Sequence, residues 1–346
     1  MSAPRAIQIV GGGLAGLTLG IGLRRQEIPV IIHEAGGYPR HRVCGEFISG
    51  RGRASLARLG LASLLEQAGA VSAHTAAFFT ANQSAAPRPL PETATCLSRF
   101  KLDAMLVRKF QSLGGDLVAG RRWRDGDFAE GIVRAAGRRA QPEENVARWF
   151  GLKIHARNVP LIAGLEMHLM PQGYVGLCQL AGGEVNICGL FRRRSGGNTL
   201  KNARELLRGR PGSPLHERLA GAEFDDDSFC AVAGLSLRPR RAVARAEMSV
   251  GDAITMIPPI TGNGMSMAFE SAELAIAPLV TWSRGEMSWN EARMKIARAC
   301  DEQFSRRLRW AHWLQRFMLA PALQNPLLRL ASRSDWFWRL AFEKTR

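Results

Sequence analysis

Ala6-Ile7-Gln8-Ile9-Val10-Gly11-Gly12-Gly13-Leu14-Ala15-Gly16 lies near the start of this chain, and its reading decides the fold. A short apolar run of β-formers meets Gly11-x-Gly13-x-x-Gly16, an apolar helical pattern runs from Leu14 to Arg25, and a second strand, Pro29 to His33, ends at Glu34. The pattern predicts a complete βαβ unit. Gly11 permits the tight turn, Gly13 lets backbone approach a pyrophosphate, and Gly16 lets helix pack on strand. The first helical residues, Leu14 and Ala15, offer free N–H groups and the positive end of a helix dipole to phosphates. Glu34 follows at close to the spacing of about 20 residues at which an acid accepts hydrogen bonds from a ribose. A glycine-rich turn alone is weak evidence; with both strands, the helix and the acid in register, an adenine dinucleotide is the expected ligand.

Far downstream the chain reads Gly251-Asp252-Ala253, then Ile257-Pro258-Pro259-Ile260-Thr261-Gly262-Asn263-Gly264-Met265. Met248 to Val250 reads as a strand end with Asp252 just beyond it. Gly262, Asn263, Gly264 and Met265 open a small-residue helix that runs through Ala268, Ala272 and Ala275. This resembles the second flavin motif of the flavoprotein superfamily that includes para-hydroxybenzoate hydroxylase-type aromatic hydroxylases, geranylgeranyl reductases and flavin-dependent halogenases. The resemblance implies FAD, with the aspartate on a ribityl hydroxyl and the helix N-terminus aimed at the flavin pyrimidine ring. A helix N-terminus suits the negative charge that reduced flavin carries near N1 and O2. The structural alternative is an Asp-capped helix following a strand.

Two further stretches resemble the same superfamily. Ser98-Arg99-Phe100-Lys101-Leu102-Asp103-Ala104-Met105-Leu106 is similar to its Arg-x-x-x-Asp-x-x-Leu helix, which implies Arg99 near the cofactor and Asp103 capping the first turn. An amphipathic surface helix would look the same. Tyr38-Pro39-Arg40-His41-Arg42-Val43-Cys44-Gly45-Glu46-Phe47 resembles the reductase and halogenase branches, whose Cys-Gly or Gly-Glu turn lies beside the isoalloxazine. Arg40 and Arg42 then neutralise flavin phosphate or an anionic substrate, and Cys44, its thiol acidified by the arginines, is a candidate catalytic residue together with Arg42 and Tyr174. The alternative makes Cys44 a small buried hydrophobe and the arginines solvated.

Departures from the pattern narrow the chemistry. Val133-Arg134-Ala135-Ala136-Gly137-Arg138 has alanine where the hydroxylases carry the aspartate of a second fingerprint, so docking of NADPH or NADH by the usual route is in doubt. Met170-Pro171-Gln172-Gly173-Tyr174 keeps Pro, Gly and Tyr but lacks the tryptophan and second proline of the Trp-x-Phe-Pro or Trp-x-Ile-Pro element, which disfavours halogenation.

At 346 residues with 46% hydrophobic content, the chain is long enough for a flavin domain and a second layer. The expected fold is α/β: a Rossmann-like FAD-binding domain of residues 1–60, 95–150 and 241–300, an inserted antiparallel-sheet substrate domain of residues 61–94 and 151–240, and a helical segment from 301 to 346. Leu165–Met170, Tyr174–Leu180 and Glu184–Leu190 are the expected strands of the inserted sheet, separated by Pro-Gln-Gly and Ala-Gly-Gly turns. Asn82 to Thr93, with three prolines, reads as a loop. By the resemblance the sheet roofs the flavin, making His168, Tyr174, Cys178, Asn186 and Cys188 candidates to face substrate. Lys153 and His155 are acid or base candidates, or exposed groups on a strand edge.

Six unpaired-looking cysteines and seven scattered histidines point to a reducing cytoplasm and no metal site. No apolar run reaches the roughly 18 residues of a spanning helix, and Met1 to Arg5 running into a strand is no signal peptide. The formal charge of +17 comes mainly from arginines dispersed along the chain without a nucleic-acid reader motif, so no nucleic-acid partner is expected. It suits flavin phosphates, an acidic substrate or an anionic membrane surface. From Phe304 to Phe342, Trp310, Trp313, Phe317, Trp336 and Trp338 interleave with arginines, as in a lid packed on the substrate domain or a peripheral membrane helix. Packing is the primary expectation. The resulting reading is an FAD-dependent oxidoreductase, foremost a monooxygenase of an apolar or aromatic small molecule. The alternatives are reduction of isoprenoid double bonds and a flavin-binding or membrane-associated partner protein without turnover.

Overall fold

The computed structural model describes residues 3–124, 128–138, 149–192 and 203–345. Ile7–Val10 forms β1, Leu14–Arg24 forms α1 and Val30–Glu34 forms β2, each within one residue of its expected limits. The two strands pair in parallel, from Ile7 opposite Val30 to Val10 opposite His33. Every residue of α1 from Leu14 to Leu23 is buried, so this helix is covered on all sides.

The chain then makes β3 (Phe47–Ile48), α2 (Gly50–Arg58), α3 (Ala62–Gln67), β4 (Val71–Phe79) and β5 (Arg88–Cys96). It returns to the first sheet through α4 (Arg99–Ser112), β6 (Asp116–Ala119) and β7 (Ile132–Arg134). That sheet has the order β6-β2-β1-β7 and is parallel throughout. Met248 to Val250 adds a rung beside β7: the Arg134 N–H donates to the Met248 carbonyl at 2.8 Å and the Val250 N–H to the Arg134 carbonyl at 3.0 Å. This late return sets Gly251 against Ala15 of α1.

The second sheet takes β8 (Trp149–Arg157), β9 (Leu165–Met170), β10 (Gly173–Gln179), β11 (Val185–Arg192) and β12 (Glu223–Leu235), with α5 (Ala203–Arg208) and α6 (Pro214–Arg218) before the last strand. Its order is β12-β8-β11-β10-β9-β4-β5-β3. It is mixed rather than purely antiparallel, because β4 runs parallel to β9, Ala76 opposite Leu165. The Asn82–Thr93 stretch expected as loop becomes strand from Arg88 onward. Its prolines are tolerated because the two-residue β3 pairs only Thr95 and Cys96, leaving the start of β5 as an edge.

Four helices complete the chain: α7 (Gly264–Ser283), α8 (Trp289–Met318), α9 (Pro321–Arg333) and α10 (Asp335–Lys344). A capping box fixes the start of α8, with Ser288 and Glu291 satisfying each other's backbone N–H groups. The largest core joins Ile9, Leu17, Phe110, Phe269 and Leu279 of the parallel-sheet layer with Phe304 and Leu308 of α8. The second sheet has two apolar faces. Phe150, Leu152, Ile154, Val175 and Ile187 pack with Leu207 and Leu215 of α5 and α6. Met167, Leu169, Tyr174 and Leu190 pack instead with Ile260 and with Met318 of α8. Among the described residues, no helix is long and apolar enough to cross a membrane.

Candidate functional site

The three glycines of the first loop do different jobs. Gly11 has φ +111°, and a Cβ there would lie 2.4 Å from the Ala135 carbonyl oxygen. A Cβ at Gly16 would lie 1.9 Å from the Gly11 carbonyl oxygen, so both positions are closed to any side chain. At Gly13 an added Cβ meets nothing within 4 Å. Gly13 is also the N-cap of α1, with no side chain satisfying the first-turn N–H groups. The protein therefore leaves open space in front of the free donors of Leu14 and Ala15, where a phosphate gains both hydrogen bonds and dipole.

A charged rim surrounds this cradle. The buried Glu34 carboxylate accepts the Gly12 N–H at 2.8 Å and the Gly36 N–H at 2.9 Å, and Arg40 approaches it to 2.6 Å. Burial pushes this carboxyl up, but the Arg40 hydrogen bond, the Gly36 N–H and the charges of Arg40 and Arg42 outweigh it and hold the group below its ordinary value. The Tyr38 hydroxyl donates to the Gly12 carbonyl. Arg42 bridges two acids, 3.7 Å from Glu34 and 3.3 Å from Asp103.

Asp103 does not cap α4. Ser98 does, accepting the Phe100 N–H at 3.2 Å, because Asp103 sits one turn inside the helix. There the fully buried carboxylate takes both arms of Arg99, at 2.7 and 2.8 Å. That bidentate pair is charge-assisted and geometrically fixed. Arg99 and Asp103 thus act as a unit beneath Arg42.

On the opposite side of the cradle, Asp252 follows Gly251, whose own N–H donates to Ser271 Oγ of α7 at 2.9 Å. Burial pushes the Asp252 carboxyl up to about 6, against the opposing charges of Arg99 and Arg138. The N-terminus of α7 begins at Asn263 without a side-chain cap. Asn263 is fully buried; its amide donates to the Thr261 and Thr345 carbonyls at 3.1 and 2.7 Å, while its Oδ1 has no partner among the described residues. A Cβ at Gly264 meets nothing within 4 Å.

Between these loops the Cys44-Gly45-Glu46 turn is pinned by the second sheet. Asn186 donates to the Cys44 carbonyl at 3.1 Å, and the Cys178 thiol to the Gly45 carbonyl at 3.3 Å. Burial raises the Cys44 thiol, and Arg99 does not offset it, so the acidified thiolate expected from the neighbouring arginines is not what this environment favours. The residue that organises the turn is Glu46, which the sequence reading left without a role. Its carboxylate, fully buried, accepts the Arg99 N–H at 2.9 Å, lies 2.7 Å from His155 Nε2 and 3.7 Å from Lys153 Nζ. It does so with φ +53°, a left-handed conformation that costs a non-glycine residue on the order of 1 kcal/mol or more. Lys153 donates to His41 Nδ1 at 3.0 Å. The His41 ring is kept neutral-leaning, first by burial and then by Lys153 and His155. Lys153 and His155 are accordingly buried partners of Glu46 rather than exposed strand-edge groups. Two polar residues at alternate positions of an otherwise apolar strand, β8, were the available signal.

Beyond the turn opens an apolar cavity of about 160 Å³. Gly45 and Pro259 to Gly262 form its floor, Met167, Leu169 and Tyr174 one wall, and residues of α8, α9 and α10 its cover. Among the described residues, no Asp, Glu, Lys, Arg or His lines it. Of the candidates on the sheet, Tyr174 and Cys188 reach the cavity, while Cys178 and Asn186 hold the turn instead. Burial raises both the Tyr174 hydroxyl and the Cys188 thiol, so each stays protonated. His168 lies on the other face, stacked on Phe79 at 4.3 Å between ring centroids and 3.2 Å from Glu166, because strand residues alternate sides. Among the described residues no cluster of His, Cys, Asp and Glu is arranged to hold a metal ion.

No family profile and no curated protein matches the chain. Solved structures do match over nearly its whole length. The flavin-dependent brominase Bmp2 superposes with a TM-score of 0.76 at 18% identity, covering 98% of this chain and 92% of that one. A flavoprotein/dehydrogenase from Cytophaga hutchinsonii gives a TM-score of 0.73 at 15% identity, covering 99% and 91%. PqsL from P. aeruginosa, in complex with 2-aminobenzoylacetate, gives 0.70 at 16% identity, covering 93% and 98%. The fold is that of FAD-dependent halogenases and flavoprotein oxidoreductases.

Proposed function

We propose that this chain is an FAD-dependent oxidoreductase, foremost a monooxygenase, acting on an apolar or aromatic small molecule. The observation that carries the reading is the meeting of two built features. An open glycine cradle faces the uncapped start of α1, and the loop that leads to the orphaned Asn263 Oδ1 forms, from Pro259 to Gly262, the floor of an apolar cavity. The residues present fit FAD. Gly13, Leu14 and Ala15 would take the pyrophosphate, Glu34 a ribose, Asp252 a ribityl hydroxyl, and Asn263, Gly264 and Met265 the polar edge of the ring. When bound, FAD would supply the redox chemistry.

The protein's own part is to position and to exclude water. The cavity's apolar walls keep solvent from the reacting centre, and Tyr174 and Cys188 hold their protons there. The Glu46 cluster and Asn186 hold the Cys44-Gly45 turn at the cavity floor. A nicotinamide nucleotide or a separate reductase would supply electrons; Ala136 argues for a donor whose reaction depends on bound substrate.

Reduction of isoprenoid or other lipid double bonds is the second reading, favoured by a cavity without a charged lining residue among the described ones. The two separate when the reduced protein meets an apolar candidate under labelled O₂. Label in the product supports oxygenation, and a product gaining only hydrogen supports reduction.

A further inference from the structure

Eight large hydrophobic side chains are exposed among the described residues, and six of them, Trp310, Trp313, Phe317, Leu323, Leu330 and Trp336, lie on α8, α9 and α10. Trp313 and Trp336 are 54% and 71% exposed, far more than a lid residue should be. Helical spacing sorts α8 into two faces. Phe304, Leu308 and Ala311 enter the core, whereas Arg306, Arg309, Trp310, Trp313, Arg316 and Phe317 all face outward. The outer face is ordered: Trp313 stacks on Phe317 with centroids 5.7 Å apart, and the Arg316 guanidinium lies 6.0 Å from the Trp313 ring.

The charge is as one-sided as the aromaticity. Arg329, Arg333 and Arg339 are also exposed on α9 and α10. The acids of these two helices are Asp335, held by Arg88, and Glu343. Arg307, the one buried arginine of the group, pairs with Glu270 inside and takes no part. Exposed tryptophan and phenylalanine among exposed arginines that outnumber the nearby acids, Glu302 of α8 included, match a lipid interface, where rings sit at headgroup depth and cations meet anionic headgroups. We propose that α8, α9 and α10 dock the protein peripherally on an anionic membrane surface.

The inner sides of the same helices cover the cavity, Leu314 and Met318 from α8, Leu327 and Ala331 from α9, Phe337 and Phe342 from α10. A docked protein therefore presents its cavity cover to the bilayer, and its substrate class becomes membrane-dissolved lipophiles. That last step rests on the oxidoreductase reading; docking does not.

The test is co-sedimentation of the full chain with vesicles of phosphatidylcholine alone or mixed with phosphatidylglycerol, at low and high salt. Binding should require phosphatidylglycerol and weaken with salt. Arg309→Ala with Arg316→Ala should weaken it roughly thirtyfold, at about a factor of five per basic residue near the surface. Trp313→Ala with Phe317→Ala should weaken it about tenfold at unchanged net charge. Arg121→Ala with Arg122→Ala, exposed elsewhere, is the control and should change little. Absence of binding at low salt overturns the proposal, as does a loss in the control equal to that in the helix variants. It is also overturned if the aromatic variant leaves binding intact, or changes the oligomeric state by light scattering in place of vesicle binding. Flavin content measured alongside keeps these outcomes apart from a failure of the cofactor assignment.

Discussion

Substituting the three loop glycines one at a time should separate folding from cofactor binding. At Gly13 an added Cβ meets nothing within 4 Å, and the backbone is extended at φ −86°, ψ −169°, which valine adopts readily. Gly13→Val should fold, losing about 1 kcal/mol or less from a poorer N-cap. Its branched side chain nevertheless fills the space before the Leu14 and Ala15 N–H groups. FAD affinity should fall at least a hundredfold, about 3 kcal/mol. Gly11→Ala and Gly16→Ala should fail differently, since their Cβ atoms would stand 2.4 and 1.9 Å from backbone oxygens. Those variants should lose several kcal/mol of stability in the apoprotein itself, strain and overpacking combined. The assay is denaturant unfolding of each apoprotein beside FAD titration of each folded protein. Gly13→Val that binds FAD normally, or Gly16→Ala as stable as wild type, would refute the division of roles.

Four other substitutions probe the rest of the site and its helical cover. Glu46→Gln leaves Lys153 buried without its counter-charge and should cost about 3 kcal/mol or more in urea unfolding; a change below about 1 kcal/mol would show that the cluster does not hold the turn. Asp252 has a folded-state value near 6 against an ordinary 3.8, so the folded protein retains this proton longer than the unfolded chain, and the group's contribution to stability falls as pH rises from about 4 to about 6. Asp252→Asn should remove that slope, so the apoprotein's melting temperature should rise relative to wild type across this window, and parallel curves would contradict it. Trp338, 6% exposed, and Trp336, 71% exposed, should part company: Trp338→Ala costs about 3 kcal/mol and Trp336→Ala less than about 0.5, and equal effects would mean the two faces of α10 are misassigned.

What the sequence disclosed was local. The first βαβ unit, the strand pair around Pro171-Gln172-Gly173 and the α7 start were legible because turn glycines and apolar periodicity act over a few residues. The Glu46 cluster was not, because His41, Glu46, Lys153 and His155 come together only through the pairing of β8 with β11 and the fold of the loop before β3. Cys44 was read from neighbouring arginines, yet burial decides its thiol, and burial is a tertiary property. The tail showed its aromatics and arginines plainly. Its twofold character needed the helix orientations that turn Trp338 inward and Trp313 outward.

The most direct test of the central claim, that a flavin cradle opens onto an apolar substrate cavity, is a spectrum of the purified protein titrated first with FAD and then with an apolar aromatic ligand. One FAD per chain should bind, and the ligand should shift the visible flavin bands as it displaces water from the cavity floor at Gly45 and Pro259 to Gly262. Protein that takes up no FAD would contradict the cradle, and bound flavin whose spectrum ignores every apolar ligand would contradict the junction between cradle and cavity.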